Sequence, residues 1–182
     1  MSGVSIGDPR ILLTDKEGPN QRLRVDAAQT SFFAGREFRT FLELNIATSA
    51  VVVIKAVVPV NIILNKLETV IDDGFLKIET VVGGTEGGVF TALSTFPANT
   101  MTEVPSPAPT AQVVLTTGGT HTGGTVLDII RLRAAVATAQ QSSVGSSAFD
   151  ERGVVANTYY FRLTNLGGTV TGTFKARWEE RP

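Results

Sequence analysis

Several short stretches of this chain carry apolar side chains at every second position. That spacing fits one face of a β-sheet, because successive side chains of a strand point to opposite faces. In "FRTFLELNI", Phe38, Leu42, Leu44 and Ile46 share one face and Arg39, Glu43 and Asn45 the other. In "YYFRLTN", Tyr159, Phe161 and Leu163 oppose Tyr160, Arg162 and Thr164; in "TFKARW", Phe174, Ala176 and Trp178 oppose Lys175 and Arg177. All three read as half-buried strands, and each must bury its apolar face against another layer.

The stretch Val51 to Val58 is different, being apolar on both faces. Its β-branched composition favours a strand over a helix of such short length, placed centrally in the fold or against another subunit. Between Ile62–Val70 and Phe75–Val82 lies "IDDG", with Asp72, Asp73 and Gly74. Asp and Gly tolerate the positive φ of tight turns, so these two strands are expected to pair as a hairpin.

Glycine pairs punctuate the rest: "GGTEGG" from Gly83 to Gly88, "GGTHTGG" from Gly118 to Gly124, and "LGGTVTG" from Leu166 to Gly172. Each is flanked by strand-like sequence and reads as turn chemistry, the middle one as a hairpin tip. From Phe96 to Thr110, Pro97, Pro105, Pro107 and Pro109 withhold backbone donors, which predicts an extended surface crossing and not a central strand. Good helix formers run together only around Arg133–Gln141. The expected fold class is therefore all-β: an antiparallel β-sandwich, jelly-roll-like. Residues 1–30, with Pro9 and Pro19, are expected to form an extended N-terminal arm lying over the domain or a neighbour, and residues 31–182 the β-sandwich domain.

The chemistry-bearing residues make no constellation. His121 is the only histidine and there is no cysteine, whereas a zinc site wants three or four Cys, His or carboxylate ligands. His121 reads as an exposed loop residue. The loop around it is no phosphate cradle, since a strand and not a lysine and helix follows the last glycine. Asp72 and Asp73 lack the alternating register and distal glutamate of a calcium loop and read as turn residues. Asp150, Glu151 and Arg152 read as a solvated or intersubunit ion-pair cluster, because a catalytic carboxylate needs a partner across a cleft. A serine triad drawn from Ser142, Ser143, Ser146 or Ser147 would have to use His121 as its base, and the strand-to-helix nucleophile elbow is missing. Trp178 lies on an apolar face and reads as core. The expectation is no catalytic, cofactor-binding or metal residue, no cofactor, and no enzyme.

Composition limits the partners. Charged residues make up 18% of the chain, below the roughly 25% of an average soluble domain, so part of the outer surface is expected to be covered. Sixteen basic against seventeen acidic residues offer no general attraction to nucleic acid or an anionic membrane. The most apolar run, Ala50 to Leu64, is broken by Lys55, Pro59 and Asn61 and falls short of the ~20 residues of a spanning helix. Met1 to Ser5 lacks the basic and apolar regions of a secretion signal, which points to a start in a cytoplasm.

The segments "QTSFFAGREFRTFLELNI", "PVNIIL" and "ERGVVANTYYFRLTNLGGTVTGTFKARWEERP" resemble small all-β virion structural proteins of tailed bacteriophages, over about Gln29 to the C-terminus. The resemblance rests on strand and turn patterns and carries over no catalytic residue. It implies a virion protein assembled in the host cytoplasm, a capsid decoration or cement protein stabilising the head, or alternatively a tail or head-fibre component that binds a host receptor or glycan. The partners it implies are the major capsid protein or other virion proteins. A homo-oligomer, with a trimer favoured, fits the threefold sites that capsid lattices offer. The arm from Ser2 to about Thr30 and the strand from Val51 to Val58 are the expected contact elements.

Overall fold

Period-two alternation decides which faces meet in the folded chain. The computed structural model describes residues 32, 34–99, 110–134 and 152–181. Among these residues are thirteen strands: β1 (Glu37–Ile46), β2 (Val51–Val58), β3 (Ile62–Asp73), β4 (Phe75–Val82), β5 (Thr85–Gly87), β6 (Thr91–Ala92), β7 (Thr95–Pro97), β8 (Val114–Thr117), β9 (Thr120–Thr122), β10 (Thr125–Arg133), β11 (Arg152–Val154), β12 (Asn157–Asn165) and β13 (Val170–Glu180). They form a five-stranded sheet in the order β11-β3-β13-β1-β7, a six-stranded sheet in the order β10-β4-β12-β2-β8-β6, and a ribbon of β5 and β9. The chain is an all-β antiparallel sandwich, as its patterning predicts.

The core lies between the two large sheets. Phe38, Leu44 and Ile46 of β1 and Phe174, Ala176 and Trp178 of β13 face Ile54, Leu76, Phe161 and Leu163 of the other sheet in one buried cluster. Phe38 packs beside its cross-strand partner Trp178 with ring centroids 6.1 Å apart, and Phe161 meets Phe174 at 5.7 Å. Each such side chain contributes about 1.5–3 kcal/mol on burial. Trp178 is 1% exposed, as expected of a core residue.

The "IDDG" stretch does not make a hairpin. β3 pairs with β13 and β11, β4 with β10 and β12, so Gly74 alone carries the chain from one sheet to the other. One residue is too short for the two-residue loop of a tight hairpin, whereas crossing the sandwich lets Ile71 and Leu76 on either side both reach the core. Gly74 has φ +91°, and a Cβ there would lie 2.6 Å from Val170 Cγ2. Asp73 still acts as a turn residue, its carboxylate accepting the Gly74 N–H at 2.7 Å.

Two buried polar side chains hold the sheet-crossing connections. Asn165 donates to the carbonyls of Ile46, Ala47 and Gly168 and accepts the Gly167 N–H, tying the β1–β2 connection to the β12–β13 turn. Glu180, 3% exposed, accepts the N–H groups of Gln112 and Val113 and the indole N–H of Trp178, fixing the chain as it enters β8. These bonds leave little buried polar surface unsatisfied, which is what makes such burial tolerable.

"GGTHTGG" is not a hairpin tip. β8 and β10 lie apart in the six-stranded sheet with β2, β12 and β4 between them, and residues 118–124 cross from one to the other. "GGTEGG" crosses in the opposite sense, and the two crossings pair as the β5–β9 ribbon. β2 lies inside the sheet between β12 and β8, the central of the two positions its apolar faces suggest. Pro97 sits in the edge strand β7, in keeping with the loss of a donor. The N-terminal arm, most of the proline-rich crossing, and residues 135–141 of the helix-forming stretch lie outside the described residues; Arg133 itself ends β10.

Candidate interaction surfaces

The ribbon covers the outer face of the six-stranded sheet. Lys55, Tyr160 and Val81 stand in one cross-strand row on that face, and Val53, Val81 and Tyr160 are buried there with Phe90 packed against them. This explains why β2 is apolar on both sides: Ile54, Ala56 and Val58 belong to the main core, while Val53 belongs to this smaller one. The Tyr160 hydroxyl donates to the Glu86 carboxylate, Lys55 pairs with the same carboxylate at 2.8 Å, and the Lys55 ammonium stands 5.4 Å from the centroid of the Phe90 ring. Lys55 first, and Tyr160 next, hold the Glu86 carboxyl below its usual range. Burial, reinforced by Glu86, pushes the Tyr160 phenol up to about 12.

His121 is not the exposed loop residue its glycine-rich surroundings suggest. It is 6% exposed, opposite Glu86 in the ribbon, with its ring stacked on Tyr160 at 3.8 Å and 15°. Nε2 lies 2.7 Å from the Gly83 carbonyl, so that nitrogen donates, and buried Nδ1 has no partner. A Cβ on Gly84 would come within 2.6 Å of His121 Nε2, which is why glycine precedes the ribbon. The aromatic stack and these close approaches make His121 a structural anchor of the ribbon.

Among the described residues, the other chemistry-bearing side chains do not converge on one place. Arg152, in β11, lies 3.9 Å from Asp128 of β10, while Asp150, Glu151 and Ser142, Ser143, Ser146 and Ser147 lie outside the described residues. Asp72 and Asp73 stand exposed at the sheet-crossing turn. Among the described residues, no group of three or more His, Asp or Glu could hold a metal ion, and no helix is long and apolar enough to cross a membrane.

Two exposed surfaces stand out. On the open side of the sandwich, between edge strands β10 and β11, Leu127 and Val155 are 56% and 63% exposed on the rim of an apolar cavity of about 570 Å³, while Ile129, opposite Glu79, is exposed on the outer face of the six-stranded sheet. A bulge between Val126 and Asp128 breaks the β10 register and turns Leu127 out. The second surface is a groove of about 670 Å³ on the outer face of the five-stranded sheet, where Phe41 and Phe96 stand exposed with near-parallel rings 6.2 Å apart. Arg39, Lys66, Lys175 and Arg177 line it, against a single carboxylate, Glu68. Sequence patterning passes over Phe41, yet the signal is present: it falls on the face of Arg39 and Glu43, where alternation calls for a polar residue. Compared with protein families, curated protein sequences and solved structures, the chain has no match.

Proposed function

We propose that this chain is a virion structural protein of a tailed bacteriophage, a capsid decoration or cement protein that binds the head through surface contacts. The observation that carries the reading is the open side of the sandwich, where Leu127 of β10 and Val155, just past β11, stand exposed on the rim of an apolar cavity. Edge strands with apolar side chains need covering, and a partner surface supplies it. A lattice-borne partner would need roughly 1,000 Å² or more of contact, multiplied by symmetry into avidity. A trimer at threefold positions meets that need with closed interfaces.

The winding order supports the jelly-roll-like reading that accompanies this function. Four strands in the order β1-β13-β3-β11 face four in the order β2-β12-β4-β10, with β1 to β4 alternating between the sheets. Spatial neighbours are thus drawn from distant parts of the chain, as two interlocked Greek keys require. β2, with Val53 covered by the ribbon, keeps little surface for a partner, so the contact is assigned to β10 and β11. A tail or head-fibre component that binds a host receptor or glycan is the second reading, favoured by the exposed Phe41–Phe96 pair.

The test is re-binding of the purified chain to phage heads that lack it, read by co-sedimentation, beside Leu127→Asp and Val155→Asp variants. Binding by the unaltered chain and at least tenfold weaker binding by both variants is expected. Binding to tails or host cells with none to heads would favour the fibre reading.

A further inference from the structure

We propose that the groove on the outer face of the five-stranded sheet binds an acidic saccharide, with a sugar ring against Phe41 and Phe96 and its carboxylate or sulfate on Arg39 and Lys175. The inference names the ligand class of the glycan reading and is tested on the purified chain, so it stands or falls separately from where the chain lies on a particle.

Charge is the first argument. The chain as a whole carries −1, yet four cations and one carboxylate line this groove. Two of the four are already neutralised: Lys66 pairs with Glu68 at 3.0 Å, and Arg177 with Glu37. Arg39 and Lys175 form no ion pair among the described residues, and they flank the aromatic pair. Lys175 stands directly opposite Phe41, and Arg39 directly opposite Phe96. Positive charge left unpaired beside exposed rings is complementary to a small unit with one apolar face and one anionic group.

Backbone geometry narrows the occupant further. β13, at the centre of this face, is paired along its length on both sides, whereas β7 pairs with β1 only at Phe38–Thr40 and β11 with β3 only at Ile62–Leu64. A peptide laid over the middle of this face would leave its amides unmatched, and one added to an open edge would pair in the plane of the sheet and not on the face that carries Arg39 and Lys175. A nucleic acid strand brings a run of phosphates, but only Arg39 and Lys175 are left to meet them, because Glu68 and Glu37 already neutralise Lys66 and Arg177. A pyranose presents C–H groups to the rings and asks only for side-chain partners. The groove's volume lies within the roughly 300–1,000 Å³ of small-molecule sites, and rings left 53% and 41% exposed gain by being covered.

The experiment measures binding of the purified full chain to trigalacturonate, a sialylated trisaccharide and a sulfated disaccharide. A neutral trisaccharide, a ten-residue oligothymidylate and an acidic decapeptide serve as comparators. At least one acidic saccharide is expected to bind ten times or more tightly than the neutral one. Arg39→Gln and Phe41→Ala, both at exposed positions, should each weaken it at least tenfold with the melting temperature unchanged, whereas Leu127→Asp should leave it intact. Failure of every acidic saccharide to bind, equal binding of the neutral one, preference for the oligonucleotide or the peptide, or full binding by both groove variants would each overturn the proposal.

Discussion

The imidazole of His121 lies on the phenol ring of Tyr160, centroids 3.8 Å apart, and thereby docks the β5–β9 ribbon onto the six-stranded sheet. Two glycine-rich segments far apart in sequence meet at this contact, and Glu86 joins them from the paired position of the ribbon.

His121→Ala removes the stacked ring and opens a void over Tyr160. Aromatic pairs contribute about 0.5–1.5 kcal/mol beyond the area they bury, so a total loss of about 2–3 kcal/mol is expected. Urea denaturation of the variant beside the unaltered chain measures it, and hydrogen exchange should show the loss of protection concentrated in β5 and β9.

Tyr160 and Glu86 set opposite pH limits on the ribbon. The Tyr160 phenol is raised to about 12 in the folded chain, against about 10 unfolded. Its contribution is present below the unfolded value and is lost as pH climbs from about 10 through about 12. The Glu86 carboxyl is lowered, so its contribution is present above the ordinary carboxyl range and is lost as pH falls through its depressed value. A spectrophotometric titration of a Tyr159→Phe variant isolates Tyr160 and should give a midpoint near 12. Glu86→Gln should lower that midpoint while leaving it above 10, because burial is the larger cause of the shift.

Glu180→Ala leaves the N–H groups of Gln112 and Val113 and the Trp178 indole N–H without their acceptor. Unsatisfied buried donors cost about 1–3 kcal/mol each and do not add fully, so a loss of about 3 kcal/mol is expected. Glu180→Gln keeps an acceptor oxygen and should cost about half as much. Thermal unfolding followed by the fluorescence of Trp178, the single tryptophan, reads both.

Gly84→Ala forces a methyl group within 2.6 Å of both His121 Nε2 and the Thr122 carbonyl at φ +96°. Strain and displaced packing together should cost about 2 kcal/mol or more. Equilibrium unfolding that matches the unaltered chain would contradict the close packing of the ribbon.

The strands of the sandwich are legible from alternation because one face of each is core and the other is not: Phe174, Ala176 and Trp178 are buried while Lys175 and Arg177 between them are exposed. Pairing partners are less legible. "IDDG" has the composition of a hairpin turn, but the turn residues fix only local φ, and it is the competition of β13 for β3 that sends the chain across the sandwich. The burial of His121 depends on Tyr160, thirty-nine positions away, and no local pattern around a glycine-rich loop reveals such a partner. The groove is half legible, since Phe41 on a polar face is visible in the sequence, whereas its neighbour Phe96 arrives from an edge strand that the prolines obscure.

The most direct measurement is a reconstruction of tailed-phage particles carrying this chain, with site-specific labels on it. Density for the chain is expected on the head at threefold positions, with β10 and β11 turned toward the capsid and the Phe41–Phe96 face toward solvent. Label found only on the tail would replace decoration by the fibre reading, and its absence from purified particles would contradict a virion role altogether.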